Sequence, residues 1–355
     1  MGNEKTSHSR TDRRRSKVKN TIGNSVSVTL FGESHSEGIG VVIDGLAPGI
    51  RVDCQFIAEQ LELRRPKSQI STPRVEKDNF RILSGVYEGK TTGTPICIVI
   101  PNEDIKSEDY GEIRFKMRPS HADFTANEKY HGFEDFRGGG HFSGRITAAL
   151  VAAGAIAIDA LKNKGILIES RIVRLGGVDN PENIEEIILD AKTKGDSVGG
   201  VIETVVTGLP TGVGEPWFDS MESMLSHAVF SIPAVKGIEF GAGFSVADML
   251  GSEANDPFRV VDGKIVTETN NNGGINGGIT NGMPVVFSTA IKPTPTIFKE
   301  QNTVDIRDNS NTTLMASGRH DPCIVPRVGV VLDSVTALVL CDLLSARFGT
   351  DWMAN

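Results

Sequence analysis

The spacing of hydrophobic residues along the chain alternates between short runs typical of strands and a three-to-four-residue repeat typical of helices. In the first half, apolar or alternating runs bounded by glycine predict strands over residues 26–31, 39–43, 81–87 and 95–100. Asp53 is a favourable N-cap for a predicted helix that continues to about Arg65.

The second half carries the same two patterns. Strands are predicted over residues 166–175, 201–209 and 284–291, and helices over residues 143–164, 183–194, 217–232 and 328–348. No linker rich in proline, serine or glycine divides the halves. We therefore expect a single large α+β domain over residues 20–355, and the pattern leaves open whether its halves are duplicated.

Four long stretches lack a regular pattern, namely residues 64–80, 102–145, 263–282 and 292–327. Irregular segments of this length inside a compact domain are usually functional loops or ligand covers. The same stretches hold most of the basic and glycine-rich motifs. We therefore expect the functional site to be built from these loops.

Charge is unevenly distributed. The formal net charge is −8, which argues against a nucleic-acid binder that works through its overall field. The first 20 residues, by contrast, contain seven basic and two acidic side chains and lack an apolar core, so they do not form a secretory signal. We interpret residues 1–19 as a basic, disordered extension, with a nucleic-acid arm or a targeting segment as the open alternative.

The four cysteines, Cys54, Cys97, Cys323 and Cys341, lie far apart and form no C-x-x-C pair. This spacing predicts neither a zinc site nor a disulfide framework, and it fits a reducing, cytoplasmic location. The longest apolar run, residues 148–158, is shorter than the roughly 20 residues that span a bilayer. We therefore expect no membrane segment.

Arginines are concentrated in the irregular stretches of this acidic chain. They include Arg64, Arg65, Arg74, Arg118, Arg137, Arg145 and Arg319. Arginine pairs bidentately with phosphate and carboxylate, so loop arginines beside glycines indicate a pocket for a small polyanion. The alternative is solvated surface charge.

Two glycine-rich loops and two histidines add to this picture. Gly138-Gly139-Gly140 precedes a predicted helix, where free N–H groups favour anions, and residues 272–278 form the second glycine-rich loop. Neither loop matches a P-loop or a dinucleotide-binding motif. His35 and His121 lie in polar loops, where a histidine can protonate a leaving group near neutral pH. A metal site at Glu33 and His35 remains an alternative.

Lys292-Pro293-Thr294-Pro295-Thr296 follows a predicted strand directly. The two prolines make this segment rigid, with one cation and two hydroxyl groups. Such a segment can present these groups to a polar ring or a phosphate, or it can simply end an edge strand.

Beyond these patterns, the sequence resembles the chorismate synthase family from about residue 20 to about residue 344. The resemblance lies in short segments that occur in the family's order: 20–23 (Asn-Thr-Ile-Gly), 31–35 (Phe-Gly-Glu-Ser-His), 82–85, 91–93, 118–123 (Arg-Pro-Ser-His-Ala-Asp), 129–130, 137–140 (Arg-Gly-Gly-Gly), 234–237, 273–278, 292–294 and 318–323 (Gly-Arg-His-Asp-Pro-Cys).

The resemblance implies an activity and an architecture. Family members convert 5-enolpyruvylshikimate-3-phosphate to chorismate and phosphate, the seventh and last step of the shikimate pathway. This anti-1,4-elimination requires reduced FMN without net redox change. The chain shows no flavin reductase domain, so a reductant such as NADPH is expected to act externally. The resemblance further implies a homotetramer, and an α+β fold with antiparallel sheets packed between helices.

The resemblance also assigns roles by position. His35 matches the histidine near the leaving phosphate, His121 the histidine that faces the flavin, and Asp321 the aspartate linked to proton removal at the flavin. Substrate-binding positions fall on Arg64, Arg65, Arg74, Arg118 and Arg145. Flavin-binding positions fall on His141, Phe142, Ser143, Ala234, Gly277, Lys292, Pro293, Thr294, Pro295, Thr296 and Arg319. No metal is implied.

Several positions depart from the family pattern. Ser36 and Ser120 replace glycines that usually flank the two histidines, and Gln69 stands near a basic family position. His141 and Phe142 replace Arg-Ser of some members, so flavin contacts there are expected to come from backbone N–H groups. Two other classes stay open: a flavin-dependent oxidoreductase, which would use the same glycine loops with NAD(P)H, and a non-catalytic polyanion-binding protein, which Ser36, Ser120 and Gln69 motivate.

Overall fold

The computed structural model describes residues 20–66, 70–71, 77–103, 114–315 and 321–354. The basic extension at residues 1–19 lies outside the described residues. So do three positions singled out above, Gln69, Arg74 and Arg319.

Strands predominate in the first half. In chain order the elements are β1 (Thr21–Ile22), β2 (Ser27–Gly32), β3 (Gly38–Asp44), α1 (Cys54–Arg64), β4 (Arg81–Ser84), β5 (Val86–Tyr87), β6 (Lys90–Thr91), β7 (Ile96–Pro101), α2 (Asp123–Tyr130) and α3 (Thr147–Asn163). Asp53 caps α1 as expected, because its carboxylate accepts from the N–H groups of Gln55 and Phe56.

The second half ends in the longest helix. Its elements are β8 (Leu167–Leu175), β9 (Val178–Asp179), α4 (Ile184–Thr193), β10 (Gly200–Thr207), α5 (Met221–Val229), β11 (Val235–Phe240), α6 (Gly251–Ala254), β12 (Phe258–Val261), β13 (Lys264–Thr267), β14 (Ile275–Asn276), β15 (Ile279–Thr280), β16 (Val285–Ile291), β17 (Glu300–Asp305), β18 (Ser310–Met315) and α7 (Val325–Phe348).

Each half supplies one five-stranded antiparallel sheet. The first has the order β1-β2-β3-β7-β4 and the second the order β11-β16-β10-β8-β9. Burial alternates along the central strands, as the side-chain period of two requires. On β7, for example, Ile96, Ile98 and Ile100 are buried while their neighbours are less so. The α+β class with antiparallel sheets is confirmed.

Helices α3 and α7 lie between the two sheets. Helix α3 packs on β3 and β7 of the first sheet, α7 packs on β8 and β10 of the second, and α3 and α7 pack on each other. The helices therefore form the inner layers. The physical reason is that α3 and α7 are apolar around most of their circumference and need cover on all sides.

The same apolar character gives two segments the length and hydropathy of a membrane span, Gly144–Asn163 and Val325–Phe348. Neither segment was expected from the sequence to match a membrane span, because only the longest uninterrupted apolar run, residues 148–158, was compared with the length of one. Within the described part of the chain, 83% and 89% of their most apolar windows are buried inside the protein. Their hydrophobicity is thus accounted for by the core between the two sheets.

Two predicted elements have different boundaries in the structure, and in each case a single residue explains the difference. The predicted strand over 81–87 breaks at Gly85, which has a φ of 80°. The predicted helix over 217–232 begins only at Met221, because the hydroxyl of Ser220 caps it by accepting from the N–H of Ser223. Strands β11, β12, β13, β17 and β18 and helix α2 were not predicted.

Candidate active site

The two histidines singled out in the sequence lie against one glycine triplet. His35 is in the turn between β2 and β3, and His121 is in the loop before α2. A methyl group placed on Gly138 would stand 2.2 Å from Cε1 of His35, and one on Gly139 would stand 3.2 Å from Cε1 of His121. The triplet therefore touches both imidazoles.

The backbone of the triplet also requires glycine. Gly138, Gly139 and Gly140 have φ values of 58°, 82° and 52°, in the left-handed region that side chains disfavour. The carbonyl of Gly140 accepts from the N–H of Ser34 at 3.0 Å. Nδ1 of His141 lies 2.7 Å from the carbonyl oxygen of Gly32, to which it donates. The triplet and the His35 turn are thus joined on both sides.

His121 is oriented by a carboxylate and an arginine. Its Nδ1 lies 2.6 Å from Oδ1 of Asp123, and Nε and a terminal nitrogen of Arg118 each donate to Asp123 at 2.7 Å. Burial raises the pKa of Asp123, but hydrogen bonds from Arg118 and His121 outweigh it and hold that pKa well below its usual range. The carboxylate stays ionised and fixes the ring whose other edge faces Gly139.

Arg64 and Arg145 share a buried carboxylate. Asp78 pairs with Arg145, and its other oxygen lies 3.7 Å from a terminal nitrogen of Arg64. Arg64 also donates to the carbonyl of Gly144 at 2.7 Å, beside the start of α3. These two guanidinium groups are therefore adjacent and partly neutralised. Arg65, the C-cap residue of α1, pairs with Glu62 of that helix.

The Lys292–Thr296 segment reaches the His121 loop. Nζ of Lys292 donates to the carbonyl of Ser120 at 2.6 Å, and its backbone N–H donates to the carbonyl of Ala234 at 2.9 Å. Burial, together with the nearby charge of Lys236, lowers the pKa of Lys292. A cation is thus fixed beside His121, and Ala234 is brought to the same place.

Asp321 lies close to this segment. The carbonyl of Pro322 accepts from the N–H of Val198 at 3.0 Å, and the hydroxyl of Ser197 donates to the carbonyl of Thr294 at 2.7 Å. Asp321 itself is buried and pairs with Arg327 in the first turn of α7. Burial lowers the pKa of Arg327 to about 10. The carboxylate is therefore held at the end of the second sheet from which Lys292 emerges.

Gly277 is not brought to this place within one chain. It lies in the β14–β15 turn, where the carbonyl of Gly278 accepts from the N–H of Met221. That turn adjoins the beginning of β16, because the N–H of Val286 donates to the carbonyl of Gly273. Lys292 follows the other end of β16, roughly 20 Å away for a strand of this length.

The side chains that follow the glycine triplet serve the loop itself. His141 is turned to Gly32 as described, and the ring of Phe142 lies 6.1 Å from that of Tyr130. The hydroxyl of Ser143 accepts from the N–H of Arg145 and caps the short turn before α3. The described residues contain no group of three or more histidine, cysteine or acidic side chains placed to hold a metal ion.

The two serines that depart from the family pattern differ in conformation. Ser120 has a φ of 57°, in the region where glycine is favoured. The hydroxyl of Ser36 instead accepts from the N–H of Glu33 at 3.1 Å and lies 2.9 Å from the carbonyl of Gly38. Ser36 therefore ties the His35 turn together, whereas Ser120 strains the His121 loop.

Three polar residues of the site carried little or no signal in the sequence. Asp123 belongs to the same motif as His121, so its contact with His121 could have been predicted from the sequence. Asp78 and Asn102 are single polar residues in irregular stretches, and their contacts span 67 and 43 positions of the chain. A cavity beside His121 also includes Arg114 and Phe136, neither of which the sequence indicated.

Comparison with known proteins places this arrangement in context. A model of the family described as chorismate synthase matches residues 26–345. A chorismate synthase from Pyrococcus abyssi is 47% identical over 347 residues, covering 92% of this chain and 97% of the relative. One from Chitinophaga pinensis is 49% identical over 325 residues, covering 92% and 96%. A crystal structure of chorismate synthase superposes with a TM-score of 0.73 at 29% identity, covering 93% of this chain and 94% of that one.

Proposed function

The chain belongs to the chorismate synthase family, the carbon–oxygen lyases of aromatic amino-acid biosynthesis, and on this premise we propose that it forms chorismate from 5-enolpyruvylshikimate-3-phosphate. The reaction breaks one C–H bond and the C–O bond to phosphate, forms a new C=C bond and releases phosphate. We propose that it proceeds as an anti-1,4-elimination and requires reduced FMN.

One observation carries the proposal: His35 and His121 lie against neighbouring glycines of one loop, next to fixed cations. Two imidazoles that lie against one glycine loop can serve the two ends of one small substrate. His35 is assigned to the leaving phosphate, to which it donates a proton as the C–O bond breaks. His121, oriented by Asp123, is assigned to the flavin.

The arginines fit a substrate with one phosphate and two carboxylates. Arg64 and Arg145 lie together and both contact Asp78, so a substrate anion can replace part of the hydrogen bonding of this pair. Arg118 lies beside His121. Arg65 and Arg74 are assigned to the same substrate on the family pattern alone.

The residues present also fit a flavin. Beside His121 the cavity combines Arg114 and Arg118 with the rings of Phe136 and Phe142, and a side chain at Gly139 would intrude on His121. The Lys292–Thr296 segment with Ala234 would hold the cofactor from the opposite loop, joined by backbone groups of residues 141–143 and by Arg319. Reduced FMN, when bound, supplies reducing equivalents that are regained within each turnover.

Asp321 is assigned to proton removal. Its carboxylate is buried and pairs with Arg327 beside the Lys292–Thr296 segment. The proton leaves the substrate carbon as the phosphate departs from the other end of the conjugated system. Gly277, at the far end of β16, is assigned to the cofactor on the family pattern alone.

We also propose a homotetramer in the cytoplasm, supplied with reducing equivalents by an external donor such as NADPH. Large apolar side chains on the second half are strongly exposed, among them Trp217 at 84%, Phe218 at 90% and Phe244 at 85%. Exposed aromatic side chains of this size are enriched at surfaces that a partner covers. The four cysteines are unpaired, as in a reducing compartment.

An anaerobic assay tests the proposal. The purified chain is incubated with 5-enolpyruvylshikimate-3-phosphate and reduced FMN, and chorismate is measured by its absorbance and by chromatography. Chorismate formation that depends on reduced FMN supports the proposal. Net oxidation of flavin coupled to NAD(P)H, without chorismate, would indicate an oxidoreductase, and binding of the substrate without any turnover would indicate a polyanion-binding protein.

A further inference from the structure

Asn102 uses all of its side-chain hydrogen-bonding groups on the candidate site. It follows β7 and is 8% exposed. Its Nδ2 donates to the carbonyl oxygens of Glu33 and Ser36, both at 2.9 Å, and its Oδ1 accepts from Nε of Arg145 at 3.1 Å. Carbonyls only accept and guanidinium groups only donate, so these partners fix which way the amide points.

These contacts bracket His35 in the sequence. Glu33 precedes the histidine and Ser36 follows it, so one amide group holds the turn on both sides of the imidazole. The backbone N–H of Asn102 adds a third bond to the same turn, at 3.1 Å from the carbonyl of Glu37. On its other side the turn is bounded by Gly138 and by the bond from Ser34 to Gly140.

Asn102 is thus the bridge between the His35 turn and the arginine pair. Arg145 donates a hydrogen bond to Asn102, pairs with Asp78 and donates to the carbonyl of Pro101. Every link in this bridge is a direct hydrogen bond between largely buried groups. One side chain therefore links the Arg145 guanidinium directly to the His35 turn.

We infer that Asn102 is a positioning residue that fixes His35 relative to Arg145, and this inference rests on the proposed function of those two residues. A substrate whose anions are held by Arg145 needs its leaving phosphate placed at His35. A displacement of about 1 Å between such groups can cost on the order of 10²-fold in rate. Asn102 does not touch the substrate; it acts through the histidine turn.

Two substitutions test the inference. Asn102→Asp keeps the shape and the contact to Arg145, but it replaces the donor NH₂ with an oxygen that repels both carbonyls. Asn102→Ser removes all three side-chain contacts without adding charge. A matched control is Asn270→Asp, since Nδ2 of Asn270 also donates to a backbone carbonyl, that of Pro284 at 2.9 Å, beside the second sheet.

For each purified variant, kcat and KM are measured under anaerobic conditions, and amide exchange is followed over residues 32–37. Both Asn102 variants are expected to lose about 10–100-fold in kcat with KM changed by less than about threefold. Exchange at Ser34 and Ser36 should accelerate. Asn270→Asp should keep the wild-type kcat and the wild-type amide exchange over residues 32–37, even if its thermal stability falls as much as that of the Asn102 variants.

The inference is overturned if folded Asn102 variants keep wild-type kcat and exchange, or if their kcat falls no further than that of Asn270→Asp. It is also overturned if neither Asn102 variant folds while Asn270→Asp does, because Asn102 would then serve the fold as a whole. Should the wild-type chain form no chorismate, the proposed function fails. The exchange rates over 32–37 then support the positioning role if they rise and overturn it if they do not.

Discussion

A methyl group on Gly138 would stand 2.2 Å from Cε1 and 2.4 Å from Nδ1 of His35. Atoms in proteins do not approach so closely, so the histidine can occupy its place only while residue 138 has no side chain. The contact joins a turn near the start of the chain to a loop about 100 residues later. It makes the glycine triplet part of the geometry of the candidate site.

Gly138→Ala is therefore expected to displace the His35 ring and to reduce kcat by at least about 100-fold. The substitution also forces alanine into a φ of 58°, which by itself costs on the order of 1 kcal/mol of stability. Activity and unfolding free energy of the purified variant are measured together.

Gly89→Ala separates the two effects. Gly89 has a φ of 71°, but a methyl group there would meet nothing within 4 Å. This variant should lose a similar amount of stability and keep its kcat. Equal losses of activity in both variants would show that the close approach to His35 is irrelevant.

His121→Ala is expected to impair turnover more than substrate binding. A lost acid–base group typically costs about 10²–10⁴-fold in rate, whereas the arginines assigned to the substrate remain. The measurement compares kcat with the dissociation constant of the substrate. His227→Ala, an exposed histidine near the end of α5, is the control and should behave as the wild type. Unchanged turnover in folded His121→Ala would remove this residue from the mechanism.

Ser120→Gly and Ser36→Gly should change stability in opposite directions. Ser120→Gly relieves a φ of 57° and should stabilise the protein by up to about 1 kcal/mol. Ser36→Gly removes the hydroxyl that accepts from Glu33 and bonds within the turn, which should cost about 1–2 kcal/mol. The free energies of unfolding of the two variants and of the wild type are measured by denaturant unfolding. Similar losses at both positions would contradict the backbone argument.

Asp333→Asn should stabilise the protein near pH 8 but not near pH 4. Burial raises the pKa of the Asp333 carboxyl to about 7, although a hydrogen bond from Ser170 opposes the shift. Between the unfolded pKa near 4 and the folded pKa near 7 the folded state retains the proton, so wild-type stability falls as pH rises through this window. The cost that the variant avoids is at most on the order of 4 kcal/mol.

Denaturant unfolding at pH 4 and pH 8 measures the effect. The control is Asp248→Asn at an exposed position, which should leave the pH profile of stability unchanged. An Asp333→Asn variant whose stability follows the wild type at both pH values would show that the buried carboxyl does not titrate in this range.

Periodicity located the elements whose apolar residues face one side, such as α1 and β7. It could not locate β17 and β18, whose sequences are mostly polar, or α2, which buries only Ala126. Helices α3 and α7 were predicted, but their place between the sheets follows from packing, which a linear pattern does not contain. The same is true of the candidate site, where sequence motifs identify some residues but not the contacts between distant parts of the chain. Motifs indicated His35, His121 and the glycine triplet, whereas the contacts of Asp78 and Asn102 depend on the folded chain.

The stoichiometry of one anaerobic reaction tests whether the chain forms chorismate without net oxidation of the flavin. The wild-type chain is mixed with reduced FMN and an excess of 5-enolpyruvylshikimate-3-phosphate, and chorismate, phosphate and oxidised flavin are all quantified. We expect one phosphate per chorismate over many turnovers, with the flavin still reduced at the end. Phosphate release without chorismate, or one flavin oxidised for each product formed, would contradict it.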